Sequence, residues 1–288
     1  MTGEQNQNVS GDFIYQSKNV HKSFYINNGE NEKYAVRGGK GQKDSMDVFG
    51  VHAGELAYQS INADFSSRIK FVISGENNID SEYFIDCYGT EHSFGGISLR
   101  KNKYCILNKQ YDREAYFAEI SKIKSQMSKM GEYGEFFPIS LSPFAYNETI
   151  AQEYVPITKE QAHEKGYEWF EAPEKDYTIG GDNILCEAWE KDKELAKEHK
   201  CTKAFRITPN ERAMYERFDI PLPRRCPNTR FYDKFQMRNP VKFWTRQCMC
   251  IQAHSHHQDS CPNEFETTYA PERSEKVYCE QCYQTEIV

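Results

Sequence analysis

The feature that most constrains this chain is a repeat in its first hundred residues. Short apolar clusters recur at Phe24-Tyr25-Ile26, Val48-Phe49-Gly50-Val51, Phe71-Val72-Ile73 and Phe94-Gly95-Gly96-Ile97. A second series interleaves them at Tyr34-Ala35-Val36, Tyr58 to Ile61, Tyr83-Phe84-Ile85 and Tyr104-Cys105-Ile106. Each series advances by about 23 residues, a length in the range of solenoid repeats. The clusters are too short for helices, are rich in β-formers, and are separated by turn residues such as Asn27-Asn28-Gly29. A β-solenoid uses short strands of this kind, because each coil buries its apolar face on the next. The competing arrangement is an antiparallel sandwich of eight short strands. The solenoid reading predicts about four coils over residues 1–110, with Phe24, Phe49, Phe71 and Phe94 in one internal column and Tyr34, Tyr58, Tyr83 and Tyr104 in a second. Gly38-Gly39-Lys40-Gly41 lacks the spacing and the following Ser or Thr of a phosphate loop, and reads as a solenoid turn.

The periodicity then turns helical. Asp112 is a candidate N-cap, apolar residues follow at three-to-four spacing through Phe117, Ile120, Met127 and Met130, and Gly131 stops the run. This helix is expected to cover the open end of the solenoid, since a bare last coil is an edge ready to pair with another chain. An aromatic connector leads to a capping box at Thr158 and Gln161, with Gly166 after it. Residues 111–176 thus form a helical cap and connector, and Thr178-Ile179-Gly180-Gly181 marks a break before a small α+β region over 177–288. Inside that region the run Glu187 to Lys200 reads as a solvated helical face, and Thr208, Pro209 and Glu211 announce another helix. The fold class expected is mixed β with α: a helix-capped β-solenoid followed by a zinc ribbon.

Composition narrows what the chain can be. No apolar run approaches the roughly 18 to 20 residues of a membrane helix, and the polar start lacks a signal-peptide pattern. A soluble cytoplasmic protein without membrane contact is expected. Thirty-six basic against 43 acidic residues give a net charge of -7, which argues against whole-surface nucleic-acid binding and leaves room for a local basic patch. Ten cysteines in a reducing compartment point to metal more than to disulfides.

Half of those cysteines lie from Cys248 onward. Cys279-Glu280-Gln281-Cys282 has the two-residue gap that lets both thiolates of a tight turn face one ion. The second arm lies among Cys248, Cys250 and Cys261. The expected ligands are Cys248, Cys261, Cys279 and Cys282, with Cys250 as the alternate. His254, His256 and His257 read as a mobile loop rather than as ligands. Four thiolates fill a tetrahedral site and leave no open position for water, so one structural Zn is expected and no catalytic residue. Cys201 and Cys226 look like halves of two further two-cysteine knuckles, in which Ala204 and Thr229 occupy the partner positions. Two ligands cannot hold a structural zinc, so that second site reads as degenerate and its fold as resting on packing.

Between Arg224 and Arg246, seven basic residues (Arg224, Arg225, Arg230, Lys234, Arg238, Lys242, Arg246) face one acid, Asp233, a local charge of +6. Phe231, Tyr232, Phe235, Phe243 and Trp244 are interleaved. Basic residues for phosphates and rings for bases suit RNA or a ribonucleoprotein, with Trp244 as a stacking residue. The opposed reading is an amphipathic segment with its rings turned inward and its arginines paired with acids. A protein partner on the solenoid face is the second functional reading. The chain has no phosphate-cradling loop, nucleophile elbow or His-Glu-x-x-His motif, so an enzyme is the least supported class.

Beyond these patterns, residues Leu99 to Tyr111, Gly134 to Pro138 and Ser142 to Glu148 resemble an uncharacterised zinc-ribbon family found mainly in genomes of uncultivated bacteria. The same family is resembled by Phe205-Arg206-Ile207, Pro221 to Pro227, Arg238-Asn239-Pro240, Cys261 to Thr267 and Val277 to Tyr283. The resemblance covers about residues 95 to 288. It implies a C-terminal zinc ribbon and complete Cys-x-x-Cys pairs in relatives at the places of Cys201 to Ala204 and Cys226 to Thr229. It implies no activity.

Overall fold

The computed structural model describes residues 3–171 and 183–286, so the break expected near Thr178 to Gly181 lies outside the described residues. The chain divides into two compact units, Met1–Glu168 with Val241–Val288, and Trp169–Pro240.

The first unit is built on a parallel β-solenoid of about nine turns. Its strands stack in sequence order in one sheet of eleven. The register advances by 12 residues, as in Ser67↔Ile79 and Ile73↔Ile85. The coil is therefore half the length that the aromatic spacing suggests, and the expected four coils become about nine; the interval of about 23 residues spans two turns. Within each coil every third residue adopts a left-handed backbone: Arg68, Phe71, Ser74, Asn77, Asp80, Tyr83 and Asp86 all have φ between 50° and 60°. The residue after each of them points inward: Ile69, Val72, Gly75, Asn78, Ser81, Phe84 and Cys87 are buried. A bend every three residues gives four sides to a twelve-residue coil. L-residues pay roughly 1–2 kcal/mol in this conformation, with Asn and Asp the most tolerant side chains. Asn19, Asn28, Asn31, Asp44, Asp47 and Asn62 also occupy such corners.

The inward columns explain how so narrow a tube satisfies its polar groups. Ser66 Oγ donates to the Asp64 carbonyl at 3.0 Å and accepts the Asn78 N–H at 3.0 Å, joining one coil to the next. Ser17, Ser23, Ser45 and Ser81 repeat both bonds with their own partners. Asn78 donates to the Cys87 carbonyl at 2.8 Å and accepts from the Thr90 N–H at 3.0 Å and the Thr90 hydroxyl at 2.8 Å. Ile14, Val20, Ile26, Val72 and Phe84 fill the space between. One coil is a residue longer, pairing Glu30 with Lys43, and the glycine turn predicted at Gly38 to Gly41 takes up the extra residue. There Gly39 has φ 122°, and a Cβ on it would lie 2.0 Å from the Asn27 carbonyl oxygen, so no other residue fits. Here the side chains of Glu32 and Gln42 are buried, and their polar atoms have no hydrogen-bond partners. Gly29 leaves the space that the Glu32 carboxyl occupies.

The aromatic residues that reveal the repeat lie mostly outside the tube, and the two expected columns are not formed. Phe24, Val36, Phe49 and Ile61 share one register position. Phe71 and Phe94 instead alternate with tyrosines: ring centroids are 5.8 Å apart for Tyr58–Phe71, 4.3 Å for Phe71–Tyr83 and 5.2 Å for Tyr83–Phe94. Strands place successive side chains on different sides of the coil, so spacing alone cannot say which rings share a ladder.

Helix Arg113–Met130 begins and ends where its signals place it. Asp112 accepts the Ala115 N–H at 2.8 Å and Gly131 closes the helix with φ 74°. Tyr116 and Ile120 pack on Phe94 and Ile106 of the last coils. Lys124 meets Glu82 at 2.8 Å and Tyr133 donates to the same carboxylate at 3.0 Å. Burial opposes ionisation of Glu82, and the Lys124 and Lys70 ammoniums with the Tyr133 hydroxyl together outweigh it, holding the carboxyl below its ordinary range. Thr158 and Gln161 form the expected capping box on helix Lys159–Glu164. The C-terminal segment of this unit returns to the first coils, where Phe243 lies 5.2 Å from Phe24 and Lys22 pairs with Glu266 at 2.9 Å.

In the second unit, strand Asn183–Leu185 pairs antiparallel with Ala204–Arg206. The charged run forms two short helices, Glu187–Lys191 and Lys193–Glu198, with Ala188 and Ala196 buried. Thr208, Pro209 and Glu211 start helix Pro209–Arg217, and helix Pro227–Phe235 follows. Among the described residues, no helix is long and apolar enough to cross a membrane.

Candidate metal centre

A two-stranded hairpin frames the C-terminal cysteines. Strand Trp244–Gln247 pairs with Glu264–Thr267, Gln247 opposite Glu264. Just beyond that last pair, Cys248 N–H donates to the Asn263 carbonyl at 2.8 Å and Cys261 N–H to the Cys250 carbonyl at 2.9 Å. A third segment enters beside them through Met249 N–H to the Val277 carbonyl at 2.8 Å. It delivers Cys279 immediately before helix Glu280–Glu286 and Cys282 within that helix. The two-residue gap thus places both thiols on one side of a helical turn, as the sequence pattern requires.

The four predicted sulfurs, of Cys248, Cys261, Cys279 and Cys282, lie within 4.8 Å of one another and are all buried. Cys261 and Cys279 sulfurs are 3.8 Å apart. Four Zn–S bonds of about 2.3 Å in a tetrahedron put sulfurs about 3.8 Å apart, so this edge already has the length that an ion demands. Outer contacts orient the ligands: Cys279 N–H donates to Cys248 Sγ at 3.1 Å, and the Asn263 amide to Cys279 Sγ at 3.6 Å. These residues could hold one metal ion.

The electrostatics favour a cation. Burial opposes ionisation of the Cys279 thiol, but hydrogen bonds from the Cys282 backbone and Asn263 outweigh it and bring the thiol down to about 6. Burial pushes Cys282 and Cys261 up, and a neighbouring thiol adds to the rise in each case. A first thiolate forms readily, and its charge then resists the next. A divalent ion removes that resistance and releases protons as it binds.

The histidine segment, read from sequence as a mobile loop, is folded against the cysteines. His254 and His257 exchange backbone hydrogen bonds across a tight turn. His254 Nε2 lies 3.2 Å from Cys250 Sγ, and the Nε2 atoms of His256 and His257 lie 3.3 and 3.2 Å from Cys282 Sγ. Single-sequence spacing could not show that a turn of four residues brings these rings back onto the site.

The second unit holds another cluster. Cys201 and Cys226 sulfurs are 3.7 Å apart, and Cys186 joins them within 4.8 Å. Thr229 Oγ1 approaches Cys226 Sγ at 3.2 Å and Cys186 Sγ at 3.8 Å. The site expected to have two ligands therefore has three thiols with a hydroxyl at the fourth corner, and could hold a metal ion. Cys186 carries no signal in the sequence, because no second cysteine stands near it in the chain. Burial raises Cys201 to about 11, whereas hydrogen bonds from Thr229 and Thr202 together outweigh burial at Cys226 and bring it to about 6.

The basic segment is shared between the units. In the second, Arg225 binds both oxygens of Asp233 at 3.0 and 2.8 Å, Arg230 donates to the Tyr215 hydroxyl at 3.0 Å, and the Arg238 guanidinium lies 4.8 Å over Phe235. Arg224 and Lys234 are exposed. In the first unit Lys242 is exposed and sits 5.4 Å over the half-buried Trp244, and Arg246 donates to the Ala270 carbonyl at 3.2 Å. Comparison with models of protein families and with curated proteins returned no match.

Proposed function

We propose that the chain is a non-enzymatic zinc protein that binds RNA through its basic aromatic segment, Arg224 to Arg246, of which Trp244 and Arg246 lie on a strand of the C-terminal ribbon. The observation that carries this reading is the position of the four-cysteine cluster at one end of the hairpin. Cys248 directly follows the strand that carries Trp244 and Arg246, and Cys261 precedes its partner strand. An ion there fixes the strand. Thiolate ligands in a tetrahedral set suit zinc, and four of them leave no open position for a reacting water, which makes the ion structural. The same four cysteines support reading this region as a zinc ribbon like that of the family it resembles.

The pairing of Arg225 and Arg230 within the fold directs phosphate contact to the exposed Arg224, Lys234 and Lys242. Fluorescently labelled single-stranded RNA and DNA, titrated at two salt concentrations, test this. Binding should weaken steeply with salt, and each of Arg224→Ala, Lys234→Ala and Lys242→Ala should lower the salt slope by about one. Trp244→Ala should cost about 1–3 kcal/mol of RNA affinity if the ring stacks on a base. A wild-type protein that binds neither nucleic acid at low salt refutes the proposal.

A second reading, a protein-binding adapter, has its own observation. A groove of about 700 Å³ runs between the solenoid face and helix Arg113–Met130, lined by Met46, Leu56, Phe94 and Phe117 among charged residues. Leu56 is 50% exposed and Phe117 44%.

A further inference from the structure

We infer that the C-terminal centre is binuclear: a second metal ion is held by Cys250, His254 and His257 and shares the Cys282 thiolate with the first. The inference rests on the reading that Cys248, Cys261, Cys279 and Cys282 bind zinc, and extends it to the donors that this ion leaves unused.

Three observations support the second site. The ligand atoms of Cys250, His254, His257 and Cys282 lie within 4.8 Å of one another, as those of the first set do, and Cys282 belongs to both. Two tetrahedra sharing one corner need seven ligands, and these seven side chains supply them. The imidazole of His257 is also oriented for a metal. Its Nδ1 lies 2.7 Å from the Asp259 carbonyl, which can only accept, so Nδ1 carries the proton. The lone pair then sits on Nε2, the atom 3.2 Å from Cys282 Sγ. A backbone carbonyl behind a ligating histidine is the usual outer-shell support of a metal site. Finally, five buried cysteines converge in this cluster. Five thiolates about one dication carry a net charge of -3, whereas a second dication brings it to -1.

The His254 Nε2 contacts fit this arrangement. It lies 3.2 Å from both Cys250 Sγ and Glu286 Oε1, so the Glu286 carboxylate stands at the edge of the second site. His256 groups with His257, Cys261 and Cys282 and not with Cys250; because Cys261 already serves the first ion, His256 is assigned no ligand role.

Zinc K-edge X-ray absorption of the full-length protein, together with native mass spectrometry of wild type and variants, tests the proposal. The absorption data should show imidazole scattering beside sulfur. The double variant Cys250→Ser, His257→Ala should hold one zinc fewer than wild type, and His256→Ala should hold the wild-type number. An all-sulfur shell without imidazole overturns the second site, as does a double variant with the wild-type zinc count. A wild-type protein without zinc refutes the four-cysteine reading as well, which separates the two failures.

Discussion

Glu32 offers a direct test of the inward-facing core. Its side chain is buried at 1% exposure, and its carboxyl oxygens have no hydrogen-bond partner. Burial alone pushes its pKa from 4.5 up to about 8. The folded protein therefore holds the proton through a range in which the unfolded chain has released it. Below 4.5 both states are protonated and the residue makes no pH-dependent contribution. As pH rises from there towards 8, folding must keep a proton that the unfolded chain gives up, and stability falls by about 1.4 kcal/mol per pH unit. At pH 7 the accumulated loss is about 3 kcal/mol. Glu32→Gln has nearly the same shape and cannot ionise, so it should remove this loss. Wild type and variant should melt at similar temperatures near pH 4.5, and at pH 7 the solenoid of the variant should melt roughly 10 to 20 °C higher. Circular dichroism melts at half-unit steps between pH 4.5 and 8 follow the difference. Parallel pH profiles, or a variant less stable than wild type at pH 7, would refute the placement of Glu32 in a dry interior.

Two further substitutions probe the tube and the metal centre. Asn78→Ala removes three hydrogen bonds and strands buried groups of Thr90 and Cys87. It should cost about 3 to 5 kcal/mol in denaturant unfolding, and a loss under 1 kcal/mol speaks against the inward ladder. If the four cysteines bind the proposed ion, Cys279→Ser should release it and expose the amides of strands Trp244–Gln247 and Glu264–Thr267 to hydrogen exchange, because a structural metal supplies much of the folding free energy of so small a region. Amides of Ser67–Glu76 should keep their protection, and loss there would show that the tube depends on the centre.

What the sequence determined by itself is local. Asp112 and Gly131, Thr158 with Gln161, and Thr208 with Pro209 and Glu211 all act through groups within a few residues, so their helices were legible. The pair Cys279 and Cys282 was legible for the same reason, and the density of cysteines after Cys248 pointed to its partners. The existence of a repeat was also legible, but its length was not. The eye follows Phe71, Tyr83 and Phe94, whereas the coil is set by the inward residues at every third position, such as Ser66, Ile69, Val72, Gly75 and Asn78. These inward positions, Phe84 among them, fill the interior of a twelve-residue coil, and most of the large rings lie outside it, where Phe24 meets Phe243 and Phe94 meets Tyr116. Only the tertiary structure decided which distant residues meet. Cys186 joins Cys201 and Cys226 because two strands pair, and His254 and His257 turn back onto Cys250 and Cys282 because the hairpin and the helix leave that space beside the first site. Contacts made by chain segments far apart in sequence are set by packing, and no spacing rule within one segment can contain them.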